Sequence, residues 1–492
     1  MNGGGESYSG VVPAKRSNEG QGGLQEIVEG RPLTKKNTDE PNSNRTQSRE
    51  GEPSGLDRVR QAAKEDKGLR FTALLHHVNV DLLRSSYQSL KQKAAAGVDG
   101  VTWEEYGEGL EDRLKDLHGR LHRGAYRAKP SRRVWIPKGD GRQRPLGIAA
   151  LEDKIVQHAI GRVLNPIWEE DFLGFSYGFR AGRSQQDALD ALNVGITQKK
   201  VNWVLDLDIR SFFDKVEHEW MVQFVEHRIA DQRVVRLIQK WLKAGVREEG
   251  RWFETKEGTP QGSVISPILA NLYLHYALDV WAQVWRGKVA RGDMIVVRYA
   301  DDAVLGFQHR EDAERFLEQL RERLRKFGLE LHPGKTRLIE FGRFAAERRK
   351  RRGEGKPETF NFLGFTHICG RSHGTGRFMV YRKTIGKRMA AKLKDIRQKL
   401  KRRMHAPIVE TKEWLSSVVR GYFQYHGLPD NQKRLKAFRR EVLRMWLRQL
   451  RRRSQRSHWT WERFLERLVP AIPAAAVHHP WPRERFAARH SR

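Results

Sequence analysis

The chain has 492 residues, with 93 Lys or Arg against 60 Asp or Glu, which gives a formal net charge of +33 at pH 7. Because so large a positive charge repels itself unless a polyanion shares it, we expect nucleic acid as a partner. The length excludes one compact core, and the 38% hydrophobic content can fill roughly two to four structural units. The single cysteine, Cys369, excludes an intramolecular disulfide and fits a reducing cytoplasm. The sequence has no apolar run of membrane-spanning length, so no membrane partner is expected.

The N-terminal part of the chain changes character along its length. Residues 1–55 are rich in Gly, Ser, Asn and Glu, which predicts a disordered leader. A helical spacing of apolar residues begins near Leu69 and continues to Leu90, and a mixed region follows. That region includes a predicted β-hairpin around residues 134–141, where Pro and Gly interrupt an apolar run. Strand and helix patterns then alternate between residues 201 and 345.

The C-terminal part is predicted to be a basic helical bundle. Residues 346–357 are predicted to be a charged, flexible connector, and a short β segment follows. Mainly apolar residues then recur at three- and four-residue steps in two series: Ile385, Met389, Leu393, Ile396 and Leu400, and Leu435, Phe438, Val442, Met445 and Gln449. Residues 381–492 contain 30 Lys or Arg and 8 Asp or Glu, a net charge of +22. The run Arg451-Arg452-Arg453 is a dense candidate for phosphate contacts.

Two adjacent acids, Asp301 and Asp302, lie between two short apolar runs within residues 294–307. The simplest geometry is a β-hairpin with the two carboxylates at its tip. Carboxylates beside apolar strands repel each other and lose solvation, so a positive group should be near them, and a divalent cation is the natural candidate. Taken alone, the segment fits a solvated Asp-Asp turn equally well.

A second acidic element precedes this hairpin in the chain. Alternation along residues 203–209 puts Val204, Asp206 and Asp208 on one face of a predicted strand. A strand with acids on one face, next to a hairpin with two more, can form a Mg²⁺ site, because this hard cation prefers carboxylate oxygens and substrate phosphates. Two such ions about 4 Å apart can drive an in-line displacement. We interpret Asp206 as a strand-edge charge or salt-bridge partner and Asp214 as the cap of the following helix.

The pattern around these acids resembles a known family. Residues 299–302, with Asp208 on the upstream strand, resemble the palm of reverse transcriptases. More narrowly, the chain is similar over residues 70–492 to the reverse transcriptase/maturase proteins encoded by bacterial group II introns. Five blocks occur in the order found in that family: residues 144–148, 176–184, 258–271, 328–336 and 362–365. Residues 420–427 resemble the maturase domain, also called thumb or X.

This resemblance implies an α+β fold of the right-hand polymerase type. Fingers and a palm with an antiparallel sheet would be followed by an α-helical thumb/maturase domain. The implied division is a disordered leader over residues 1–55, an N-terminal extension and fingers over 56–200, a palm with the catalytic aspartates over 201–370, and a basic helical thumb/maturase domain over 371–492.

The resemblance also implies roles for single residues. Asp208, Asp301 and Asp302 would be catalytic and would hold two Mg²⁺ ions, with Ile209 beside Asp208 in the metal-binding set. The implied nucleotide-binding residues are Lys138, Arg144, Phe213, Gln261 and Lys335. Lys138 and Arg144 would grip the triphosphate, Phe213 would lie beneath the incoming sugar, Gln261 would contact the nucleotide or the template backbone, and Lys335 would act near the leaving pyrophosphate. A core position for Phe213 and solvated charges for the three cations remain open alternatives.

Aromatic residues interleaved with basic helices suit RNA, because they offer stacking surfaces together with phosphate contacts. The implied RNA-binding residues are Arg180, Arg183, Arg420, Tyr422, Arg451, Arg452 and Arg453. Alternatively, Tyr422 and Phe423 belong to the core of the bundle and only the cations touch RNA.

The function implied is an RNA-directed DNA polymerase of the bacterial cytoplasm. It would bind its group II intron RNA, assist splicing and support intron mobility by target-primed reverse transcription, using an RNA template, a DNA primer, dNTPs and target DNA. Two alternatives remain open: a maturase that acts only as a splicing cofactor, and a non-intron reverse transcriptase such as a phage-defence type.

Many members of that family append an HNH endonuclease with cysteine pairs, and this sequence has one cysteine. We therefore expect no HNH domain and no second-strand cleavage by this chain. Priming would then use a pre-existing nick or a nascent strand at a replication fork.

Overall fold

The structure is a computed structural model, which describes residues 55–137, 143–259, 262–372, 374–453 and 459–489. The predicted leader lies outside the described residues, except for Gly55, where the first helix begins. Helices alternate with three sheets in which antiparallel pairing predominates, and this confirms the predicted α+β class at that level. None of the described helices is long and apolar enough to cross a bilayer.

The first described elements are helices followed by a hairpin. The helices before the hairpin are α1 (Gly55–Glu65), α2 (Val80–Ser89), α3 (Trp103–Gly107) and α4 (Leu110–His122), and α5 (Leu151–Asp171) follows it. The hairpin consists of β1 (Ser131–Pro137) and β2 (Gln143–Ile148), which pair antiparallel. The predicted hairpin around residues 134–141 is therefore confirmed.

The helix predicted to begin near Leu69 is wrong for its first turns. The side chain of Asn79 caps α2 by accepting a hydrogen bond from the backbone N–H of Leu82 at 2.8 Å. Upstream of this cap, Phe71 donates its backbone N–H to the carbonyl oxygen of Arg228 at 2.8 Å. This pairing with a segment far away in the sequence overrides the local helical spacing.

The central part of the chain contains a four-stranded sheet, called the central sheet below. Its helices are α6 (Gln185–Gln198), α7 (Phe212–Lys215), α8 (His218–Glu226), α9 (Gln232–Lys243), α10 (Ser266–Leu274), α11 (Val280–Lys288) and α12 (Arg310–Arg325), and a π-helical turn (His275–Asp279) joins α10 to α11. Its strands are β3 (Trp203–Asp208), β4 (Val246–Glu248), β5 (Arg251–Phe253), β6 (Met294–Tyr299), β7 (Asp302–Phe307) and β8 (Arg337–Glu340). The central sheet has the order β6-β7-β3-β8 with antiparallel pairs, whereas β4 and β5 extend the sheet of β1 and β2.

Both faces of the central sheet are covered by apolar side chains. On one face, Leu205 and Leu207 belong to the largest hydrophobic cluster. On the other face, Val204 packs in a second cluster that includes Val297 and Val304. The predicted alternation of β3 is therefore confirmed, and a strand buried on both faces holds its ends in a fixed place.

The C-terminal part contains a small sheet and a helical bundle. Its elements are α13 (Ala345–Arg351), β9 (Phe360–Phe362), β10 (Phe365–Arg371), β11 (Phe378–Thr384), α14 (Gly386–Arg402), α15 (Ile408–His426), α16 (Gln432–Arg451), α17 (Trp461–Arg467) and α18 (Pro482–Arg489). The two predicted helical series lie on α14 and α16, and their apolar faces meet in one cluster that contains Ile396, Leu400 and Phe438. The predicted helices of the bundle are confirmed.

The flexible connector predicted at residues 346–357 is wrong. Part of it is α13, and ion pairs fasten the chain that follows. Arg349 lies 3.3 Å from the carboxylate of Glu354 and 3.8 Å from that of Glu358, and Arg352 pairs with Glu340 at the end of β8. The opposite charges of this segment therefore pair with one another and with β8.

The last helix, α18, is fastened to α6 by buried charges. Arg485 lies 2.9 Å from a carboxylate oxygen of Asp187 and 3.0 Å from one of Asp190. The fully buried Arg382 of β11 contacts Asp190 at 2.9 Å and Asp430 at 3.2 Å. The C-terminal segment thus closes over the small sheet and one helix that packs on the central sheet.

Candidate active site

The hairpin formed by β6 and β7 carries the paired acids at its tip. Tyr299 pairs with Asp302, so the turn between the strands consists of Ala300 and Asp301. Ala300 has φ +56°, a left-handed conformation at the first turn position that a tight two-residue turn requires. The predicted hairpin, with its carboxylates at the tip, is confirmed.

The end of β3 brings a third acid to this tip. Asp208 pairs with Asp302 across β3 and β7, and residues opposite each other in an antiparallel pair have Cβ atoms about 5 Å apart. Asp301 occupies the adjoining turn. The Nζ of Lys335 lies 2.8 Å from Oδ2 of Asp208. The backbone therefore brings three acidic residues and one ammonium group to the place where three segments of the chain converge.

The electrostatics of this site favour an added positive charge. Desolvation by the surrounding protein, followed by the charge of Asp208, raises the pKa of Asp301. Desolvation and the charges of Asp301 and Asp208 together raise the pKa of Asp302 to about 6. Like charges that face each other across a strand pair destabilise it, and a bound cation removes this repulsion.

The donor set fits a hard divalent cation. Among the residues that the structure describes, no three His, Cys, Asp or Glu side chains are gathered closely enough to enclose an ion. The three carboxylates nevertheless supply the oxygen ligands that such cations prefer, and sites of this kind keep positions open for water and substrate phosphates. The contact of Lys335 with Asp208 shows that this carboxylate already accepts a cationic partner.

Two neighbouring acids have structural roles. Asp206 on β3 lies 3.6 Å from a guanidinium nitrogen of Arg337 on β8, so its predicted salt bridge is confirmed. The prediction that Asp214 caps the following helix is wrong, because Asp214 lies inside α7 and Glu217 occupies the N-cap position of α8.

A buried arginine holds the turn from below, and sequence reasoning missed it. The Nη1 of Arg298, the residue before Tyr299, donates to the carbonyl oxygen of Ala300 at 2.8 Å. The same guanidinium contacts both carboxylate oxygens of Asp279, at 2.7 and 2.6 Å, and the hydroxyl of Ser176 at 2.7 Å. The signal in the sequence was an arginine within the apolar run of β6, where an unpaired charge would be costly.

A second contact also fixes the turn. A Cβ atom added at Gly178 would clash with the backbone nitrogen of Ala300. The carbonyl oxygen of Gly178 accepts a hydrogen bond from the side chain of Asn271 at 2.6 Å, and Asn271 in turn accepts one from Arg298 at 3.1 Å. The absence of a side chain at Gly178 thus permits the close approach of two backbones.

Of the predicted nucleotide-binding residues, Lys138 and Gln261 lie outside the described residues. Arg144 is exposed on β2. Phe213 is half-buried, and its ring lies 5.2 Å from that of Phe212, which belongs to the core.

One loop connects these predicted positions. The backbone N–H of Thr259 donates to the carbonyl oxygen of Phe213 at 2.7 Å. A Cβ atom at Gly262 would lie 2.9 Å from the carbonyl oxygen of Gly147 on β2. The segment before residues 260–261 therefore contacts α7, which carries Phe213, and the segment after them contacts β2, which carries Arg144.

The predicted RNA contacts of Arg180 and Tyr422 do not agree with their placement. Arg180 is buried and forms an ion pair with Glu169 at 2.7 Å while also donating to backbone carbonyls. Tyr422 is buried in the core of the bundle, and its ring stacks on that of Phe438. Arg180 already donates its hydrogen bonds within the protein, and the ring of Tyr422 is covered by apolar neighbours, so neither side chain is free to contact RNA.

The other predicted RNA-binding cations are more accessible. Arg420, Arg451 and Arg452 are exposed, and Arg183 and Arg453 are half-buried. Three of these side chains also donate to backbone carbonyl oxygens: Arg183 to Ser176 at 2.9 Å, Arg451 to Trp459 at 2.8 Å, and Arg453 to Ala406.

Comparison with known proteins agrees with this geometry. A family model described as reverse transcriptase (RNA-dependent DNA polymerase) matches residues 136–367. Protein YkfC of Escherichia coli (strain K12) is 37% identical over 277 residues, which are 49% of this chain and 72% of that protein. The group II intron-encoded protein LtrA of Lactococcus lactis subsp. cremoris is 33% identical over 222 residues, 45% of this chain and 37% of that protein. The 91 kDa protein in the cob intron of Schizosaccharomyces pombe is 35% identical over 198 residues, 40% of this chain and 24% of that protein.

The segment that matches the family model contains β3, the hairpin of β6 and β7, and all three carboxylates at their junction. The coverage of YkfC at 37% identity, together with the similarity to an intron-encoded protein, points to the same family. This chain therefore belongs to the reverse transcriptases, the RNA-dependent DNA polymerases, and is homologous to the group II intron-encoded proteins.

Proposed function

We propose that Asp208, Asp301 and Asp302 form the polymerase active site of this reverse transcriptase. The observation that carries the proposal is the pairing of Asp208 with Asp302 at the point where the turn presents Asp301. Three acids from two separated segments meet there, and they do so beside apolar strands that disfavour isolated charge.

The cofactor that we propose is a pair of Mg²⁺ ions, held by these three carboxylates, with Ile209 offering only backbone beside Asp208. When bound, such ions activate the primer 3′-hydroxyl and stabilise the leaving oxygen of the pyrophosphate. The chain itself contributes carboxylates whose positions are fixed by β3 and by the turn. Arg298 holds the turn so that these oxygens do not have to reorganise when substrate arrives.

We further propose that the flanking segments bind the incoming nucleotide. Arg144 presents a planar fork that suits a triphosphate, and Lys335 presents a point charge that already contacts Asp208. The carbonyl oxygen of Phe213 accepts a hydrogen bond from the backbone N–H of Thr259, so the ring of Phe213 and the segment around Thr259 would border the sugar together. Lys138 and Gln261 keep the roles that the family resemblance implies.

In this proposal the chain has the layout of a right-handed polymerase. Residues 56–200 would form the N-terminal extension and fingers, 201–370 the palm and 371–492 the thumb/maturase part. The helices of the last part combine one apolar face with dense Lys and Arg, which supports contact with RNA phosphates.

We also propose that the chain binds a group II intron RNA, assists its splicing and supports its insertion into DNA. The support is the homology to LtrA, together with the net charge of +22 over residues 381–492. The exposed cations Arg420, Arg451 and Arg452 are the contacts that we favour within this surface.

The test is extension of a DNA primer annealed to an RNA template, with dNTPs and Mg²⁺. Asp301→Ala/Asp302→Ala should abolish extension, while the affinity for RNA stays within about twofold because phosphate contacts lie elsewhere. Extension by the double variant would overturn the metal assignment.

Splicing is measured separately, with the intron RNA found in the flanking DNA as substrate. A wild-type chain that promotes splicing but never extends a primer would identify a splicing-only maturase. A polymerase whose gene has no flanking intron would favour the non-intron alternative.

A further inference from the structure

A cavity of about 760 Å³ lies near the end of the central sheet opposite to the carboxylates. It is bordered by the segment after β8, by the turn between β10 and β11 and by the start of α18. Its wall includes four arginines and two exposed aromatic residues: Arg343, Phe344, Arg371, Arg377, Trp481 and Arg483. We call this the arginine-aromatic cavity.

The position of this cavity separates it from the polymerase site. The backbone N–H of Phe341 donates to the carbonyl oxygen of Asn202 at 2.9 Å, and Arg343 follows two residues later. Asn202 precedes the first residue of β3, whereas Asp208 is the last, so the rise along the strand puts about 20 Å between the two ends. A ligand in the cavity would not touch the catalytic carboxylates.

The positive charge of the cavity is not neutralised within the described part of the chain. None of the four arginines forms an ion pair with a described carboxylate, and Arg343 makes a 3.2 Å hydrogen bond to the carbonyl oxygen of Thr197. The two acids in the wall have other partners. Glu347 is held by Arg351 at 2.5 Å, and Asp430 lies 3.2 Å from Arg382. The cavity therefore presents four positive groups to a ligand.

The two aromatic side chains are unusually open. Phe344 is 48% exposed and Trp481 is 45% exposed, although rings of this size are normally well covered by their own chain. Arg348 lies over Phe344 with its guanidinium 5.9 Å from the ring centroid, which supports this ring in its outward position. Flat apolar surfaces between cations match a chain of bases joined by phosphates.

We propose that the arginine-aromatic cavity binds an unpaired segment of RNA, with bases stacked on Phe344 and Trp481 and phosphates held by the arginines. A duplex buries the faces of its bases, so stacking platforms select single strands. An acidic peptide would satisfy the charges but would leave both rings without partners. We assign the ligand to RNA and not to DNA because the enzyme acts on RNA templates. This inference adds a site that the proposed splicing function does not require.

The experiment measures the affinity of the full chain for fluorescein-labelled oligouridine as a function of salt. The charge-swap variant is Arg371→Glu/Arg377→Glu, and the matched control is Arg321→Glu/Arg325→Glu, a pair exposed on α12. Losing two phosphate contacts should lower the slope of log affinity against log salt by about 1.4, because each contact on a single strand contributes about 0.7. The control variant has the same change in net charge, and its slope should stay close to that of the wild type.

A second pair of variants tests stacking. Phe344→Ala and Trp481→Ala should each weaken oligouridine binding by about fivefold or more without changing the salt slope. Exposed aromatic residues carry little of the core, so thermal unfolding should not change. Extension of a short pre-annealed primer–template should stay within about twofold in every cavity variant, which separates failure at this site from failure of the polymerase.

Several outcomes would overturn the proposal. One is a charge-swap variant that binds oligouridine with the slope and affinity of its control. Another is a blunt RNA duplex whose affinity falls in the cavity variants by as much as that of oligouridine, since the site would then not select unpaired bases. If the cavity variants weakened the binding of single-stranded DNA as much as that of oligouridine, the site would not be specific for RNA. A polyglutamate peptide that binds the wild type but not the charge-swap variant, while oligouridine is unaffected, would assign the cavity to a protein partner.

Discussion

Arg298 and Asp279 form a fully buried, two-point ion pair whose guanidinium also donates to the carbonyl oxygen of Ala300. The two nitrogen–oxygen distances are 2.7 and 2.6 Å, and neither residue is exposed to solvent. Asp279 ends the π-helical turn between α10 and α11, so an irregular helix supplies the partner that the β6 arginine needs. π-helical turns are frequently found at functional sites, and here Arg298 connects the turn to the hairpin that carries the paired acids.

The ion pair should support stability and turn geometry in separable ways. Arg298→Met leaves Asp279 buried without its partner, so the free energy of unfolding should fall by about 3–5 kcal/mol in urea denaturation. Arg298→Met/Asp279→Leu should regain much of that loss, because apolar replacement of a whole buried pair is often neutral. Primer extension should remain low in the double variant, since Ala300 has lost its donor. Full activity in the double variant would show that the turn does not depend on Arg298.

The two aspartates of β3 should differ sharply in their effect on catalysis. Asp208 faces the hairpin acids, whereas Asp206 pairs with Arg337. Asp208→Asn should lower the rate of primer extension by more than about 100-fold, as the loss of a preorganised charged group does in other enzymes. Asp206→Asn, the matched control on the same strand, should stay within a fewfold of wild type. Equal losses in single-turnover extension would contradict the separation of roles.

The contact between Gly178 and the turn predicts a steric effect on activity. Gly178→Ala would drive a methyl group into the backbone of Ala300, so the turn has to move and primer extension should fall by at least about tenfold. Gly161→Ala is the control: its Cβ would meet only Ile265 Cδ1 at 3.5 Å, and alanine is favoured by about 1 kcal/mol over glycine inside a helix such as α5. Thermal unfolding and extension should be measured on both variants. A Gly178→Ala chain with normal activity would show that the turn tolerates displacement.

The raised pKa of Asp302 predicts a pH dependence of stability. With a folded-state pKa of about 6 against an ordinary value of 3.8, the native state keeps a proton that the unfolded state loses as the pH rises between these values. Stability should therefore fall across this window and stay level above it. Asp302→Asn cannot titrate, so the difference in stability between wild type and this variant should change between about pH 4 and 6. Because other buried acids titrate nearby, the difference between the two chains is the measurement, rather than either curve alone.

Metal binding should follow the same titration. Carboxylates must be ionised to bind Mg²⁺, so the rise in melting temperature caused by Mg²⁺ should be larger at pH 8 than at pH 5.5. Asp301→Ala/Asp302→Ala should lose this rise at both pH values, and a chelator should reverse it in the wild type. A rise of equal size in the double variant would place the bound ions elsewhere.

Much of the local structure could be predicted because it depends on short-range patterns. The alternation of β3, the hairpin around Asp301 and the helices α14 and α16 follow from the spacing of apolar residues. The helix expected from Leu69 and the connector expected at 346–357 failed for the opposite reason. In both places, the backbone conformation depends on partners far away in the sequence or on pairs of opposite charges. A local sequence pattern does not show which partners will pair.

The roles of individual side chains were less predictable from the sequence than the positions of helices and strands. Arg180 and Tyr422 have the residue types that bind RNA, yet each is buried among its own neighbours. Conversely, Arg298 was passed over because a single arginine in an apolar strand has no local sign of its partner. Burial and pairing depend on which surfaces meet, and residue type alone does not give that information.

By itself, the sequence determined that this chain is strongly basic and carries a paired-acid hairpin, and the resemblance of its contiguous motifs to a known family implied a reverse transcriptase. Only the tertiary structure decided that Asp208 stands opposite Asp302, that Arg298 and Gly178 hold the turn, and that four arginines and two exposed rings share one cavity. The physical reason is that strand register, burial and charge pairing arise from contacts between segments tens to hundreds of residues apart, which are fixed only when the chain is packed.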